Sequence, residues 1–389
     1  MLKVNTINSM AELDARRWNA LAGTDYPFLR YEFLNALEQS GSVNSKTGWQ
    51  AQHLLLMDDD ELLAIMPLYL KHHSWGEYVF DQAWAQAYQQ HGLDYYPKLL
   101  SAIPFTPCQG PRLLLKSGVD SGAIVDVLLQ TIKQLAEQQN LSSWHCLFPE
   151  PQLREQLQAR HLIIREDVQF QWFNRGYQNF DEFLATLTAS KRKMIKRERR
   201  KVMEQGISLQ QLVGKDITDA DWQVFYRFYA LTYLKRRSQP YLNLRFFQQL
   251  AVSIPEQLML ILAVKNDQAV AASLFFVGSD TLYGRYWGCE QDYDALHFEA
   301  CYYQGIEYCI NHGLQRFDSG AQGEHKIARG FEPVSSYSAH WIRDQRFAQA
   351  IADFVKRERA HITHYKTCAA ELLPFKQAID LPCDVNGSG

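Results

Sequence analysis

The stretch LYGRYWGCEQDYDALHFEACYYQGIEYCINHGLQRFDSGAQGEHKIARGFEP, Leu282 to Pro333, reads as a strand, an amphipathic helix, a short strand, a glycine-punctuated turn and a further helical piece. The opening segment is aromatic and small, as a buried strand requires. Apolar residues then recur at helical spacing from Leu296 to Ile310, and RFD forms a short strand ahead of Ser319-Gly320. This succession places Asp318 at a strand end, followed by Glu324, His325, Lys326 and Arg329.

Working outward, the same order of elements is legible twice. HLLLMDDDELLAIMPLYLK (His53 to Lys71) and MLILAVKNDQAVAASLFFV (Met259 to Val277) each read as strand, tight acidic turn, strand. An aromatic strand is expected after each, YVFDQAWAQAY (Tyr78 to Tyr88) and LYGRYWGCEQDY (Leu282 to Tyr293). A helix, the short strands SWHCLFP and QRFDSGA, a helical piece and a last strand complete both halves, REDVQFQWF in one and SSYSAHWI in the other. The reading is two copies of an α/β fold built on a mixed sheet, divided at about residue 175 into 1–175 and 176–385, with NGSG at 386–389 read as an appended tail.

A chain of 389 residues is long enough for two cores, and 47% apolar residues support packed lobes. No apolar run is long enough for a transmembrane helix, and charges interrupt the N-terminus where a signal peptide would carry its apolar core, so a cytoplasmic location is expected. The seven cysteines are scattered without a CxxC pair, so no metal site is expected. Net charge of −3 argues against a generally basic nucleic-acid binder. One segment breaks the balance: SKRKMIKRERRK concentrates Lys191, Arg192, Lys193, Lys196, Arg197, Arg199, Arg200 and Lys201 on a predicted helical connection ending near Gly206. Such a helix is either a solvated face or a surface for tRNA phosphates, anionic lipid or acidic glycan.

The stretch from Leu296 to Val334, together with GPRLL (Gly110 to Leu114) and the basic connection, resembles the FemAB-like proteins of the GNAT superfamily. The resemblance implies tandem GNAT-like domains with an inter-lobe cleft. It also implies acyl or aminoacyl transfer from acyl-CoA or aminoacyl-tRNA to a small-molecule or peptide amine, with no tightly bound cofactor. The Gly-x-Gly phosphate loop of ordinary GNAT enzymes is not clearly present, and Ser319, Gly320, Gln322 and Gly323 are its weak substitute. In a GNAT reading Arg285, Trp287 and Gly288 line the donor slot, with Tyr302 and Tyr303 nearby. The alternative is a GNAT-like module without chemistry that binds an anionic, peptidoglycan-related ligand.

Among candidate catalytic groups, His325 is the first choice for a base near neutral pH, oriented by Glu324 or Asp318. His297 and Glu299 at the preceding helix are the second choice. Lys326 and Arg329 are candidates to hold a carboxylate or phosphate. A capped helix start explains the same cluster without chemistry. Cys289 lacks a recognisable histidine partner, and Ser319 lacks a nucleophile elbow. The first half substitutes WHCLFPEPQLREQL for the polar segment, which leaves Asp81, Trp84, Arg112 and His145 as possible groove-lining groups.

Overall fold

The computed structural model describes residues 2–321 and 323–377. Gln322 and the tail at 386–389 lie outside them. The chain forms two compact units: one runs to Val168 and regains Ser335–Tyr365, and the other comprises Gln169–Val334 with the chain from Lys366.

The first unit contains β1 (Leu2–Ile7), β2 (Trp49–Ala51), β3 (His53–Asp58), β4 (Glu61–Met66), β5 (Tyr69–Lys71), β6 (Lys98–Ser101), β7 (Leu114–Leu115), β8 (Ser143–Leu147) and the start of β9 (Ile163–Phe173). The second contains the end of β9, then β10 (Ile207–Val213), β11 (Leu258–Lys265), β12 (Gln268–Val277), β13 (Thr281–Cys289) and β14 (Arg316–Asp318). It also holds the start of β15 (Glu332–Ile342), which finishes in the first unit.

Both hairpins form. Asn266 and Asp267 occupy a two-residue turn with Lys265 opposite Gln268, and both have positive φ (51° and 58°), which suits a type I′ turn and residues that tolerate left-handed backbone. In the first unit the turn is Asp59-Asp60, with Asp59 at φ 49°. That hairpin breaks at Gln52 and at Pro67, whose missing N–H cannot serve a ladder. Its outer half, β3–β4, joins β1 and β7 in a four-stranded antiparallel sheet, while its inner half, β2–β5, pairs with β6.

The expected aromatic strand at Tyr78–Tyr88 is not formed. Gln82–Gln90 is an α-helix with Trp84 and Tyr88, four residues apart, on its buried face. The alanines and glutamines between the aromatics favour helix, and the aromatic content alone misdirects the reading. The counterpart of β13 is instead the short, fully buried β6.

With that correction the two units share one pattern. Antiparallel β2, β5 and β6 lead to β8, parallel to β6, which pairs antiparallel with β15. Antiparallel β11, β12 and β13 lead to β14, parallel to β13, which pairs antiparallel with β9. The last strand of each repeat therefore completes the sheet of the other unit, and for this reason the chain crosses between units more than once. The first core packs Leu54, Leu56, Leu99, Trp144 and Ala339 against Ile124, Leu128 and Ile132 of the helix Ser121–Gln138. In the second, Val202, Ile207, Ala263, Ala271 and Leu296 make one buried cluster.

Candidate active site

The second unit's parallel pair parts midway. β13 and β14 pair at Thr281–Arg316, Leu282–Phe317 and Tyr283–Asp318, after which β13 continues to Cys289. Against β12 the register slips between Leu274 and Phe275, so that Tyr286 and Gly284 face them and Arg285 is the extra residue of a bulge. Two glycines make this strand possible. Gly284 admits the ring of Phe317, and a Cβ on Gly288 would lie 2.0 Å from the Phe228 carbonyl oxygen of the helix Asp219–Lys235. Gly288 is thus a packing contact with helix backbone, not an open donor-binding position.

Beyond β14, Asp318 accepts a hydrogen bond from Gly320 N (2.9 Å), a turn permitted by Gly320 at φ 89°. A Cβ on Gly320 would lie 3.7 Å from Gly284 O, so the turn runs over the part of β13 beyond its last pair with β14. Ser319 Oγ is buried and has no hydrogen-bond partner among the described residues.

Residues Glu299–Tyr303 form a π-helical turn, an irregularity often found at functional sites. It brings Tyr302 to His325: Tyr302 Oη lies 2.8 Å from His325 Nε2. Tyr302 supplies a side-chain contact that orients this ring. The His297 ring lies 5.4 Å from Trp287, 5.3 Å from Tyr302 and 6.0 Å from His325, centroid to centroid. Burial, reinforced by the charges of Lys326 and Arg329, lowers the pKa of His325. Burial and the same neighbours, with His325, take His297 down to about 4. Both imidazoles are therefore neutral at pH 7, the form in which a base works. Burial holds Tyr302 far above its ordinary range, so it stays a phenol.

The two expected anion-holding cations are turned inward. Lys326, buried, donates to Gly320 O (2.7 Å), and burial lowers its pKa to about 8 although Asp318 pulls it back up. Arg329 donates to His325 O (2.7 Å), Tyr303 Oη (3.0 Å) and Glu198 Oε1 (2.6 Å), with its guanidinium 3.4 Å over the Phe298 ring. Tyr303 in turn donates to Glu198. Arg329 fixes the His325 backbone from below, and Glu198 fixes Arg329. The sequence reading passed over Glu198. Its signal was its position as the single acid within Lys191–Lys201.

Glu299 is likewise engaged: its carboxylate takes both Arg199 (3.1 and 3.1 Å) and Gln304 (2.8 Å). Arg199 also forks onto Glu307 (2.9 and 2.7 Å) and lies 4.7 Å over Phe180. This arrangement suits holding the helix Ala189–Glu204 onto the π turn; it does not suit proton transfer or anion capture. Elsewhere on that helix Lys196 faces Asp181 (3.1 Å), Arg200 faces Glu204 (3.4 Å) and Lys201 faces Asp294. Arg192 makes only a long contact to Leu187 O (3.5 Å), and Lys191, Lys193 and Arg197 form no ion pair with a described residue. Lys193 and Arg197 line a groove of about 510 Å³ with Ser190, Met194, Glu198, Lys201 and Asp294. Glu198 thus touches both the groove and the support of His325.

Glu324 and His325 are exposed at the start of a 3-10 turn. Gly323, at φ 123°, lies beneath the His325 ring, and a Cβ there would come within 2.6 Å of it. Burial raises the pKa of Cys289, which disfavours a thiolate nucleophile. In the first unit Arg112 donates to the carbonyls of Cys108, Gly110, Pro111 and Leu147, so it fastens a loop. No group of side chains suited to a metal ion occurs among the described residues, and none of their helices is long and apolar enough to cross a membrane.

An antiparallel hairpin, a parallel pair that parts after a bulge, and a strand returned from the other repeat define a tandem GNAT-like fold, in the class of acyl- and aminoacyltransferase folds. The chain belongs to the FemAB-like family, described as peptidoglycan biosynthesis/recognition, whose family model matches residues 9–377. It is similar in fold to FemX (12% identity, 90% of this chain and 100% of that one, TM-score 0.52). It is also similar to the C-terminal DUF2156 domain of a putative lysylphosphatidylglycerol synthetase from Agrobacterium fabrum (8% identity, 89% and 96% covered, TM-score 0.54). A conserved protein of unknown function from Bacteroides thetaiotaomicron gives 13% identity, 88% and 100% covered and a TM-score of 0.50. No curated protein matches the chain.

Proposed function

We propose that the second unit transfers an acyl or aminoacyl group from an activated donor to an amine, with His325 as general base. The observation that carries this reading is the neutral Tyr302–His325 couple beside the parted end of β13 and β14. Backbone N–H groups at the place where β13 and β14 part suit the oxyanion that forms as an amine attacks a thioester or ester carbonyl. His325 takes the proton that the amine nitrogen loses as it bonds to the carbonyl carbon, directly or through water, and returns it to the thiolate or ribose oxygen that leaves as the C–S or C–O bond breaks. Tyr302 holds the ring, and Arg329 with Glu198 holds the loop that carries it. The unpartnered Ser319 Oγ supports a hydrogen bond to the donor or acceptor. Lys326 holds the Gly320 carbonyl, Gly323 leaves room for the His325 ring, and Glu299 acts through Arg199 and Gln304.

For the donor, Lys193 and Arg197, four residues apart on one face of the basic helix and lining the groove, favour a phosphate-rich molecule, aminoacyl-tRNA or acyl-CoA. The test is transfer of a labelled acyl or aminoacyl group from each donor to a panel of primary amines. His325→Gln is expected to lower kcat/KM at least 100-fold, with folding preserved. Saturable binding of tRNA, CoA or cell-wall precursor without transfer from any donor would instead support the binding-module reading.

A further inference from the structure

The first unit carries a buried polar cluster that the transfer chemistry does not use. Lys98, on β6, donates to Glu77 Oε2 (2.8 Å), Asp81 Oδ2 (2.5 Å) and Ser74 Oγ (2.9 Å), which engages all three of its protons. Tyr95 donates to the same Asp81 oxygen (2.7 Å) and lies 3.1 Å from His145 Nε2. His145 Nδ1 lies 2.6 Å from His340 Nδ1, and burial lowers the pKa of both rings, so neither balances a carboxylate at neutral pH.

The second oxygens of the two acids are the exception in this otherwise bonded cluster. Glu77 and Asp81 are each 3% exposed, yet Glu77 Oε1 and Asp81 Oδ1 accept no hydrogen bond from a described residue. Two carboxylates converging on one ammonium leave one negative charge and two acceptors over, and buried acceptors are costly unless something donates to them. The other nearby cations are directed elsewhere: Lys71 donates to Trp75 O (3.2 Å) and sits 3.7 Å over the Trp49 ring, and Arg165 donates to Phe80 O (2.6 Å) and Glu358 (2.7 Å). Burial raises Glu77 to about 6 even with Lys98 bonded to it, in keeping with incomplete compensation.

A donor that carries positive charge suits buried carboxylate oxygens of this kind. The rings of Tyr95 and Tyr96 already stand 5.3 and 5.7 Å from the Lys98 ammonium, a lining that suits cations. Both acids belong to the segment between β5 and the helix Gln82–Gln90, and its outward residues are aromatic: Trp75 is 69% exposed and Phe80 58%. We infer that Glu77 and Asp81 bind the ammonium group of a primary amine whose apolar flank rests on Trp75 and Phe80. The inference rests on the first unit alone and stands or falls separately from transfer by the second.

Benzylamine is a suitable probe, with benzyl alcohol as its uncharged counterpart, titrated calorimetrically into the full chain at constant ionic strength. Saturable one-to-one binding of benzylamine is expected, with at least tenfold weaker binding of benzyl alcohol. Glu77→Gln and Asp81→Asn are each expected to weaken benzylamine at least tenfold. Trp75→Ala, at an exposed position that should not disturb folding, is expected to weaken it several-fold. Absence of saturable binding to the parent protein would assign the two oxygens to an internal water only and overturn the site. So would benzylamine binding that is unchanged in Glu77→Gln and Trp75→Ala.

Discussion

Gly288→Ala separates a packing role from a ligand-binding one. The new methyl group would lie 2.0 Å from Phe228 O, 2.2 Å from Phe228 C and 2.8 Å from Tyr229 N, all main-chain atoms of the helix Asp219–Lys235. No side-chain rotation relieves this, so either that helix or β13 must move. Thr232, one turn further along, also hydrogen-bonds Trp287 O (2.9 Å), and that bond would be strained with it. Overpacking costs about 1–3 kcal/mol, and overlap with rigid backbone belongs at the top, about 3 kcal/mol. For a unit of this size that corresponds to a melting temperature lower by about 6–12 °C. Urea and thermal unfolding of parent and variant measure it, and because Gly288 has no positive φ the loss reports the overlap and not backbone strain. A Gly288→Ala protein as stable as the parent, but impaired in donor binding, would refute the packing argument.

Arg199→Ala leaves Glu299 and Glu307 without their shared partner and is expected to destabilise the second unit by about 3 kcal/mol, measured by denaturant unfolding. On acidification, His297 is a source of instability. Its folded pKa of about 4 lies below the ordinary 6.5, so between these values the unfolded chain binds the proton that the folded one resists. Stability is therefore full above about pH 6.5 and is lost as pH falls towards 4, by at most about 3 kcal/mol, and His297→Phe should flatten the slope of melting temperature against pH in that window. If the basic helix binds nucleic-acid phosphates, replacing Lys193 and Arg197 with alanine should reduce the slope of log K against log salt by about 2, in a tRNA titration at several ionic strengths. An unchanged slope would remove these two residues from the interface.

The hairpins were legible as apolar runs bounded by turn residues, and β8, β13, β14 and both final strands as aromatic-bearing segments between helical ones. At Tyr78–Tyr88 aromatic content outweighed the i, i+4 spacing of Trp84 and Tyr88, and the reading failed there. The exchange of final strands was invisible, because a strand's sequence specifies its buried faces and not which sheet receives it. The site cluster of His297, Tyr302, His325, Lys326 and Arg329 was visible as a concentration of polar types. Its internal assignments were not. Whether Lys326 and Arg329 point at a ligand or at Gly320, Tyr303 and Glu198 depends on a turn made by Gly320 and Gly323 and on a π turn that periodicity does not reveal. Basic residues of one helix look alike in sequence, but only packing shows that Arg199 is paired twice while Lys193 and Arg197 face a groove.

The most direct measurement is the initial rate of labelled acyl or aminoacyl transfer to primary amines by the parent protein, Tyr302→Phe and His325→Gln, across pH 5–9. Transfer by the parent should rise as His325 loses its proton, at a pH below the ordinary histidine value because burial and its cationic neighbours lower its pKa. Tyr302→Phe should slow it, and His325→Gln should reduce it at least 100-fold and remove the inflection due to His325, which leaves the titration of the acceptor amine. A His325→Gln protein that retains the parent's rate and pH profile would contradict the account.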